Sequence, residues 1–215
     1  MNLNRHRQGT ILKIENMKRF YKFSDFVKDL GKNALNLPVM AKSMLSGSGI
    51  DPKFREKIML SISNMNQCRH CIAVHGTFAD LAGLSEEEKS ALQNLSPEFF
   101  DHKEWIAIEY ARRLVADECD GPDGFLLNEL GKHYSDEEIR SIEAIAYSIN
   151  LANRCGNTWD AFTDRLRGKP AGESALVDEL LILATIAPAG PALLLLMLIV
   201  KARKKKSEQV LGDTL

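Results

Sequence analysis

Four side chains stand at spacings that can do chemistry together: Glu56, Cys68, Cys71 and His75. Two cysteines separated by two residues can cycle between dithiol and disulfide, or hold half of a metal site. On a helix starting near Asn66, Cys68, Cys71 and His75 fall within about 60° of one another at about 100° per residue, so they share one narrow face. Cys68 would lie in the first turn, where free amides and the helix dipole favour a thiolate. His75 follows Cys71 by one turn and can take or give its proton. Glu56 belongs to the preceding helix. If two antiparallel helices meet in a tight turn near Met65 and Asn66, Glu56 is as far before the turn as His75 is after it. The carboxylate and the imidazole can then lie level, and a carboxylate beside an imidazole orients its tautomer and raises its basicity. The inferred order is Glu56, His75, Cys71, Cys68: base, relay, then two thiols.

Each of these residues also has a plainer reading. A Cys-x-x-Cys with a nearby histidine can be a zinc half-site, but a closed site needs four ligands and no second Cys/His cluster stands in the sequence. His70, between the cysteines, either tunes them or faces solvent. Glu56 taken alone is an ordinary solvated helix glutamate. Cys119 falls in a polar loop and reads as incidental. No metal and no cofactor is expected.

The elements that must position these residues read as helices, and strand signals are almost absent. Phe20, Phe23, Phe26, Val27 and Leu30 recur at helical spacing. Pro38 suits the first turn of a second helix. Asp51-Pro52 predicts an N-cap with proline at the first helical position, opening a helix to about Met65. Ser85 to Glu88 and Ser135 to Glu138 both fit the capping box. Trp105, Ile108, Arg112 and Val115 lie along a helix that starts near Asp101. The stretch 119–124, Cys-Asp-Gly-Pro-Asp-Gly, is the clearest internal loop. The expectation is an all-α chain with about eight helices before residue 168.

A faint repeat runs at an offset of 87. Glu56, Ile58, Ser61, Ile62, Asn66 and Cys68 recur as Glu143, Ile145, Ser148, Ile149, Asn153 and Cys155. It reads as two related helical halves about a pseudo-twofold. The positions matching Cys71 and His75 are Thr158 and Phe162, so the second half cannot form the dithiol and reads as a structural copy.

Composition bounds the rest. The 215 residues are 45% hydrophobic and 27% charged, near the globular average, which excludes a disordered chain, a collagen-like repeat and a small disulfide scaffold. A net charge of −1 gives no electrostatic case for nucleic-acid binding. Four cysteines suit a reducing compartment. The N-terminus is basic but lacks an apolar core of signal-peptide length. The mean hydropathy of −0.19 hides an uneven distribution. Residues 180–200 contain no charge, and Lys201, Arg203, Lys204, Lys205 and Lys206 follow at once. About 20 apolar residues span a bilayer, and an apolar run closed by cations is the pattern of a membrane segment. Pro188, Gly190 and Pro191 interrupt it. A kinked span, a short hairpin dipping into one leaflet, and a helix pair buried in an oligomer interface all fit. The expected organisation is a basic segment and first helix over 1–32, a helical redox domain over 33–168, and an apolar tail over 169–215.

The motif Glu-x11-Cys-x2-Cys-x3-His, with His70 before the second cysteine, resembles the alkylhydroperoxidase D-like branch of the carboxymuconolactone decarboxylase superfamily. Leu-Ser-Glu-Glu-Glu at 84–88, Tyr-Ser-Asp-Glu-Glu-Ile at 134–139 and Ile-Asn-Leu-Ala-Asn-Arg at 149–154 are similar as well. The likeness covers roughly 36–167. It implies an all-helical fold in trimers or hexamers and a cofactor-free dithiol cycle. Glu56 and His75 would deprotonate Cys71, which attacks a peroxide or a partner's disulfide, and Cys68 would resolve the product to an intramolecular disulfide. Dipole arguments alone favour Cys68 as the more acidic thiol. The implied partners are a peroxide substrate and a thiol electron donor such as a lipoyl protein or a peroxiredoxin. The expected function is an antioxidant peroxidase or peroxiredoxin reductase at a cytoplasmic face, with 180–200 as a candidate membrane attachment. Two other readings are a carboxymuconolactone decarboxylase-type lyase and a membrane-tethered redox sensor or scaffold.

Overall fold

The computed structural model describes residues 17–45, 50–118 and 124–189. These are helical throughout, with no strand among them. The elements are α1 (Phe23–Leu45), α2 (Pro52–Met65), α3 (Arg69–Leu81), α4 (Glu86–Asn94), α5 (His102–Ala116), α6 (Gly124–Leu130), α7 (Asp136–Leu166) and α8 (Leu176–Ile186). Short 3-10 turns follow α4 at Pro97–Phe99 and α8 at Ala187–Ala189. Seven α-helices and one 3-10 turn therefore precede residue 168 among the described residues, in line with the sequence reading.

The start signals act locally as chemistry predicts. The Asp51 carboxylate accepts from the Phe54 amide at 3.1 Å and Pro52 opens α2. Ser85 and Ser135 each close a reciprocal capping box, with Glu88 and Glu138. Such caps satisfy amides that the first turn leaves orphaned, each worth on the order of 1 kcal/mol.

The 31-residue α7 is the axis of the molecule and touches α1, α2, α3, α5 and α8. Its apolar face, Ile142, Ile145 and Ile149, meets Ile58 and Ile62 of α2 and Ile108 and Leu114 of α5 in one core. Each such side chain contributes roughly 1.5–3 kcal/mol on burial. The repeat is physical. Ser63 donates to the Asn153 side-chain oxygen at 3.1 Å, and Asn66 donates to that of Asn150 at 3.2 Å. Offset by 87, Ser63 maps to Asn150 and Asn66 to Asn153, so the two bonds are mates across a pseudo-twofold between α2 and α7.

Two expectations change. Pro38 opens no second helix; it lies inside a continuous α1, so the boundary expected after residue 32 falls in mid-helix. A proline removes one backbone donor, and packing on both sides offsets that loss. Before it, Asn33 donates to the Tyr147 carbonyl at 3.3 Å and accepts from Ser148 at 3.1 Å; after it, Met40 is buried in the core. The helix carrying the cysteines begins at Arg69, not near Asn66, because the chain reverses first. No described helix is long and apolar enough to cross a membrane. Of the tail, 180–189 continues α8 and its 3-10 turn, while 190–200 and the basic cluster lie outside the described residues, as does the stretch 119–123 with Cys119. α8 docks through Ile182 and Glu179, and Arg165 grips the Glu179 carboxylate at 2.8 and 2.9 Å. Leu176, Val177, Leu180 and Leu181 stay exposed.

Candidate active site

The reversal between α2 and α3 builds the site. Asn66 ends α2 in a right-handed conformation, Gln67 turns left-handed at φ 51°, and Cys68 returns to extended backbone. The Cys68 amide then donates to the Ser63 carbonyl at 3.1 Å. A non-glycine residue at positive φ costs about 1 kcal/mol or more. Asn66, wholly buried beneath the turn, holds it: its side chain reaches Asn150, and its carbonyl accepts from Asn157 at 2.8 Å.

The reversal makes Cys68 the N-cap of α3 rather than a member of its first turn. Its sulfur accepts from the Cys71 amide at 3.3 Å. Cys68 is fully buried and Cys71 is partly exposed. Hydrogen bonding from the Cys71 thiol, aided by the backbone amides of Cys71 and His70, holds the Cys68 thiol below its ordinary value despite burial. That hydrogen bond, burial and repulsion from Cys68 push the Cys71 thiol up. Within the pair the negative charge is therefore favoured on the inner sulfur, Cys68, over Cys71. This differs from the order read from the relay, which made Cys71 the more acidic thiol. The reason is the cap: the inner sulfur collects every donor.

Glu56 and His75 meet. The Glu56 carboxylate lies 2.8 Å from His75 Nδ1, with Glu56 buried and His75 partly so. A carboxylate there places the proton on Nδ1 and leaves Nε2 as a base, one helical turn from Cys71. Packing of the His75 ring near Phe78, centroids 6.0 Å apart, limits its rotation. Glu56 and His75 thus meet across α2 and α3, while Cys68 and Cys71 stand at the start of α3, the helix that carries His75.

The second half of the chain supplies residues that sequence reasoning missed. Gly156 on α7 backs the thiols: a Cβ there would stand 2.9 Å from Cys68 Sγ and 3.8 Å from Cys71 Sγ. Asp160, one turn further, is 1% exposed and gathers two cations and a histidine. Arg69 contacts it at 2.7 and 3.0 Å, His70 Nε2 at 2.8 Å and Lys18 at 3.2 Å. Burial alone would raise the Asp160 carboxyl; the bonds from Arg69, His70 and Lys18 hold it below the usual value instead. The only sequence signal for these two was their place near Cys155, the copy of Cys68. Cys155 is a free, half-buried thiol pushed up to about 12 by burial. Among the described residues no three His, Cys, Asp or Glu side chains group as a metal site would require.

The N-terminal segment lies over this region. The Met17 amide donates to the Met65 carbonyl at 3.0 Å, and the Phe20 and Arg19 carbonyls accept from Arg154 and Asn157 at 3.2 Å. Lys18 reaches Asp160 from the same segment.

Residues 37–112 match the family model described as the carboxymuconolactone decarboxylase family. The matched span contains Glu56, both cysteines of the pair and His75. A 108-residue stretch is 27% identical to the uncharacterized protein YdfG of Bacillus subtilis (strain 168), covering 50% of this chain and 74% of that protein. These likenesses support an alkylhydroperoxidase-like or decarboxylase-like function. From the second half of α1 into α5 the chain thus resembles the carboxymuconolactone decarboxylase family, and its all-helical architecture is consistent with an alkylhydroperoxidase D-like fold.

Proposed function

We propose that the chain is a cofactor-free dithiol/disulfide oxidoreductase of the antioxidant type, reducing peroxides through Cys68 and Cys71. One observation carries the reading. A buried sulfur, Cys68, is tied through the Cys71 amide at 3.3 Å to the residue that carries a partly exposed one, and a carboxylate-held imidazole lies one turn further along α3. That is a division of labour suited to a two-step reduction.

Cys71 is the sulfur that a substrate can reach. His75 Nε2 takes its proton while Glu56 stabilises the imidazolium. The Cys71 thiolate attacks the peroxide, forming an S–O bond as the O–O bond breaks, and the alcohol leaves with a proton returned from His75. Cys68, already inclined to carry charge, attacks the resulting sulfenic acid, forms the disulfide and expels water. Two thiols and one hydroperoxide give one disulfide, one alcohol and one water. A dithiol donor restores the pair by exchange. The proposed donor is a lipoyl protein or a peroxiredoxin-type thiol partner. Assembly as a homo-oligomer is part of the reading. It is supported by the apolar side chains that α1 and α8 leave exposed in the single chain, among them Val27, Leu30, Val177 and Leu180.

A lyase like the family's namesake is the second reading, favoured by the family match. It needs an acid/base pair and an anion site, for which two thiols have no use. Mass spectrometry of the purified protein after peroxide treatment decides. A Cys68–Cys71 disulfide, with turnover on dihydrolipoamide that disappears in Cys71→Ser, supports the oxidoreductase. Full activity in the double serine variant overturns it.

A further inference from the structure

Both residues that separate the two cysteines, Arg69 and His70, are bound to a single carboxylate some 90 positions away. Arg69 reaches Asp160 through Nε and Nη2, and His70 through Nε2. Lys18 brings the N-terminal segment to the same carboxylate. Asp160 is buried, while Arg69 and His70 are 61% and 46% exposed and would otherwise sample solvent. The intervening pair of a Cys-x-x-Cys sets the field at the sulfurs and the freedom of the turn that joins them, and thiolate stability in the reduced form determines how oxidising the disulfide is.

We propose that Asp160 is a positioning residue that sets the redox poise of the Cys68–Cys71 couple by holding Arg69, His70 and Lys18 in one charge cluster beside it. The proposal rests on the dithiol reading and deepens it. The charges set the sign of each effect. Asp160 is an anion near Cys68 and opposes the thiolate. Arg69 and Lys18 are cations that offset it, and Asp164 faces Arg69 from the next turn of α7. Removing the anion stabilises the thiolate, favours the reduced form and makes the couple more oxidising. Removing a cation leaves the anion less neutralised, favours the disulfide and makes the couple more reducing. A merely structural anchor has no reason to reverse sign.

The test is the dithiol–disulfide equilibrium of the full chain in dithiothreitol buffers of graded ratio, read by alkylation and intact mass. Asp160→Asn is expected to shift the equilibrium constant about tenfold toward the dithiol, which is about 30 mV for this two-electron couple. Arg69→Gln should shift it severalfold the other way, and Lys18→Gln in the same direction as Arg69→Gln but by less. Arg69 is mostly exposed, so that variant folds even if Asp160→Asn does not, and its shift then decides alone. Unchanged equilibria in all folded variants, or shifts of the same sign for Asp160→Asn and Arg69→Gln, overturn the proposal while leaving the oxidoreductase reading intact. A wild-type chain that forms no Cys68–Cys71 disulfide at any buffer ratio overturns both.

Discussion

Gly156→Ala isolates the wall behind the thiols. Within a helix this substitution ordinarily stabilises by about 1 kcal/mol, through lost backbone freedom in the unfolded chain. Here the added Cβ would stand 2.9 Å from Cys68 Sγ, well inside the 3.5–4.0 Å where non-bonded attraction is best, and 3.8 Å from Cys71 Sγ, in ordinary contact. Cys68 is fully buried and its sulfur is tied to the Cys71 amide, so it cannot simply swing aside. Overpacking of this kind costs about 1–3 kcal/mol. The two terms nearly cancel or leave a net loss of up to about 2 kcal/mol, a fall of no more than about 8 °C in Tm for a chain of this size. The chemical effect should be larger. A displaced Cys68 sulfur loses the Cys71 hydrogen bond that favours its charge, so alkylation of the pair near neutral pH and peroxide-driven disulfide formation should both slow about tenfold or more. Thermal unfolding, timed alkylation and intact mass measure these quantities together. A Cys68→Ser background supplies the control, because the smaller oxygen relieves the contact and the alanine should there recover its helical gain. A Gly156→Ala protein that is about 1 kcal/mol more stable than wild type, with unchanged thiol reactivity, would refute the close approach.

Glu56→Gln keeps shape but removes the charge that holds His75, and should slow peroxide-driven oxidation by on the order of 100-fold, with little change in Tm, as measured by stopped-flow and thermal melts. The depressed Cys68 thiol contributes stability that is fully present above the ordinary thiol value and is lost as pH falls through its lower folded value; Cys68→Ala should therefore flatten the stability profile over that window, as read by denaturant melts at graded pH. Cys155 works in the opposite sense. Its thiol is raised to about 12 from an ordinary 9.0, so it favours the fold below pH 9 and loses that contribution between about 9 and 12; Cys155→Ala should flatten the alkaline limb of the stability profile. Arg165→Met strands the Glu179 carboxylate and should loosen α8, seen as loss of hydrogen-exchange protection there before the rest of the fold.

The parts of this molecule that depend on near neighbours were legible in its sequence. Asp51, Ser85 and Ser135 mark helix starts because a cap is a bond over three residues, and Cys68, Cys71 and His75 share a face because one helix carries them. Glu56 could be placed level with His75 by counting outward from a single turn. What was hidden depends on distance along the chain or on missing atoms. Pro38 reads as a helix start until the Asn33 and Met40 contacts with other elements are known. Asp160 looks like one carboxylate among many; only the crossing of α7 behind α3 brings it to Arg69 and His70. Gly156 functions by lacking a side chain, and no pattern of residue types announces that. The one-residue reversal at Gln67 moved Cys68 from the first turn to the cap, and with it the preferred seat of the negative charge.

The reciprocal bonds Ser63–Asn153 and Asn66–Asn150 mean that α2 and α7 use the same surfaces on each other. A body made of two copies would be expected to offer two reaction centres, yet here one copy is spent on completing the other. Thr158 stands where a second outer sulfur would be and instead receives the Tyr21 amide at 3.3 Å, fastening the N-terminal segment. Gly156, beside the copied cysteine, is the vacancy into which the first half's sulfur fits. Restoring chemistry to the second half would require a cysteine at Thr158, which would give up the hydroxyl that receives the Tyr21 amide. The duplicated fold is therefore committed to a single centre per chain, and more centres can be gained only by bringing more chains together.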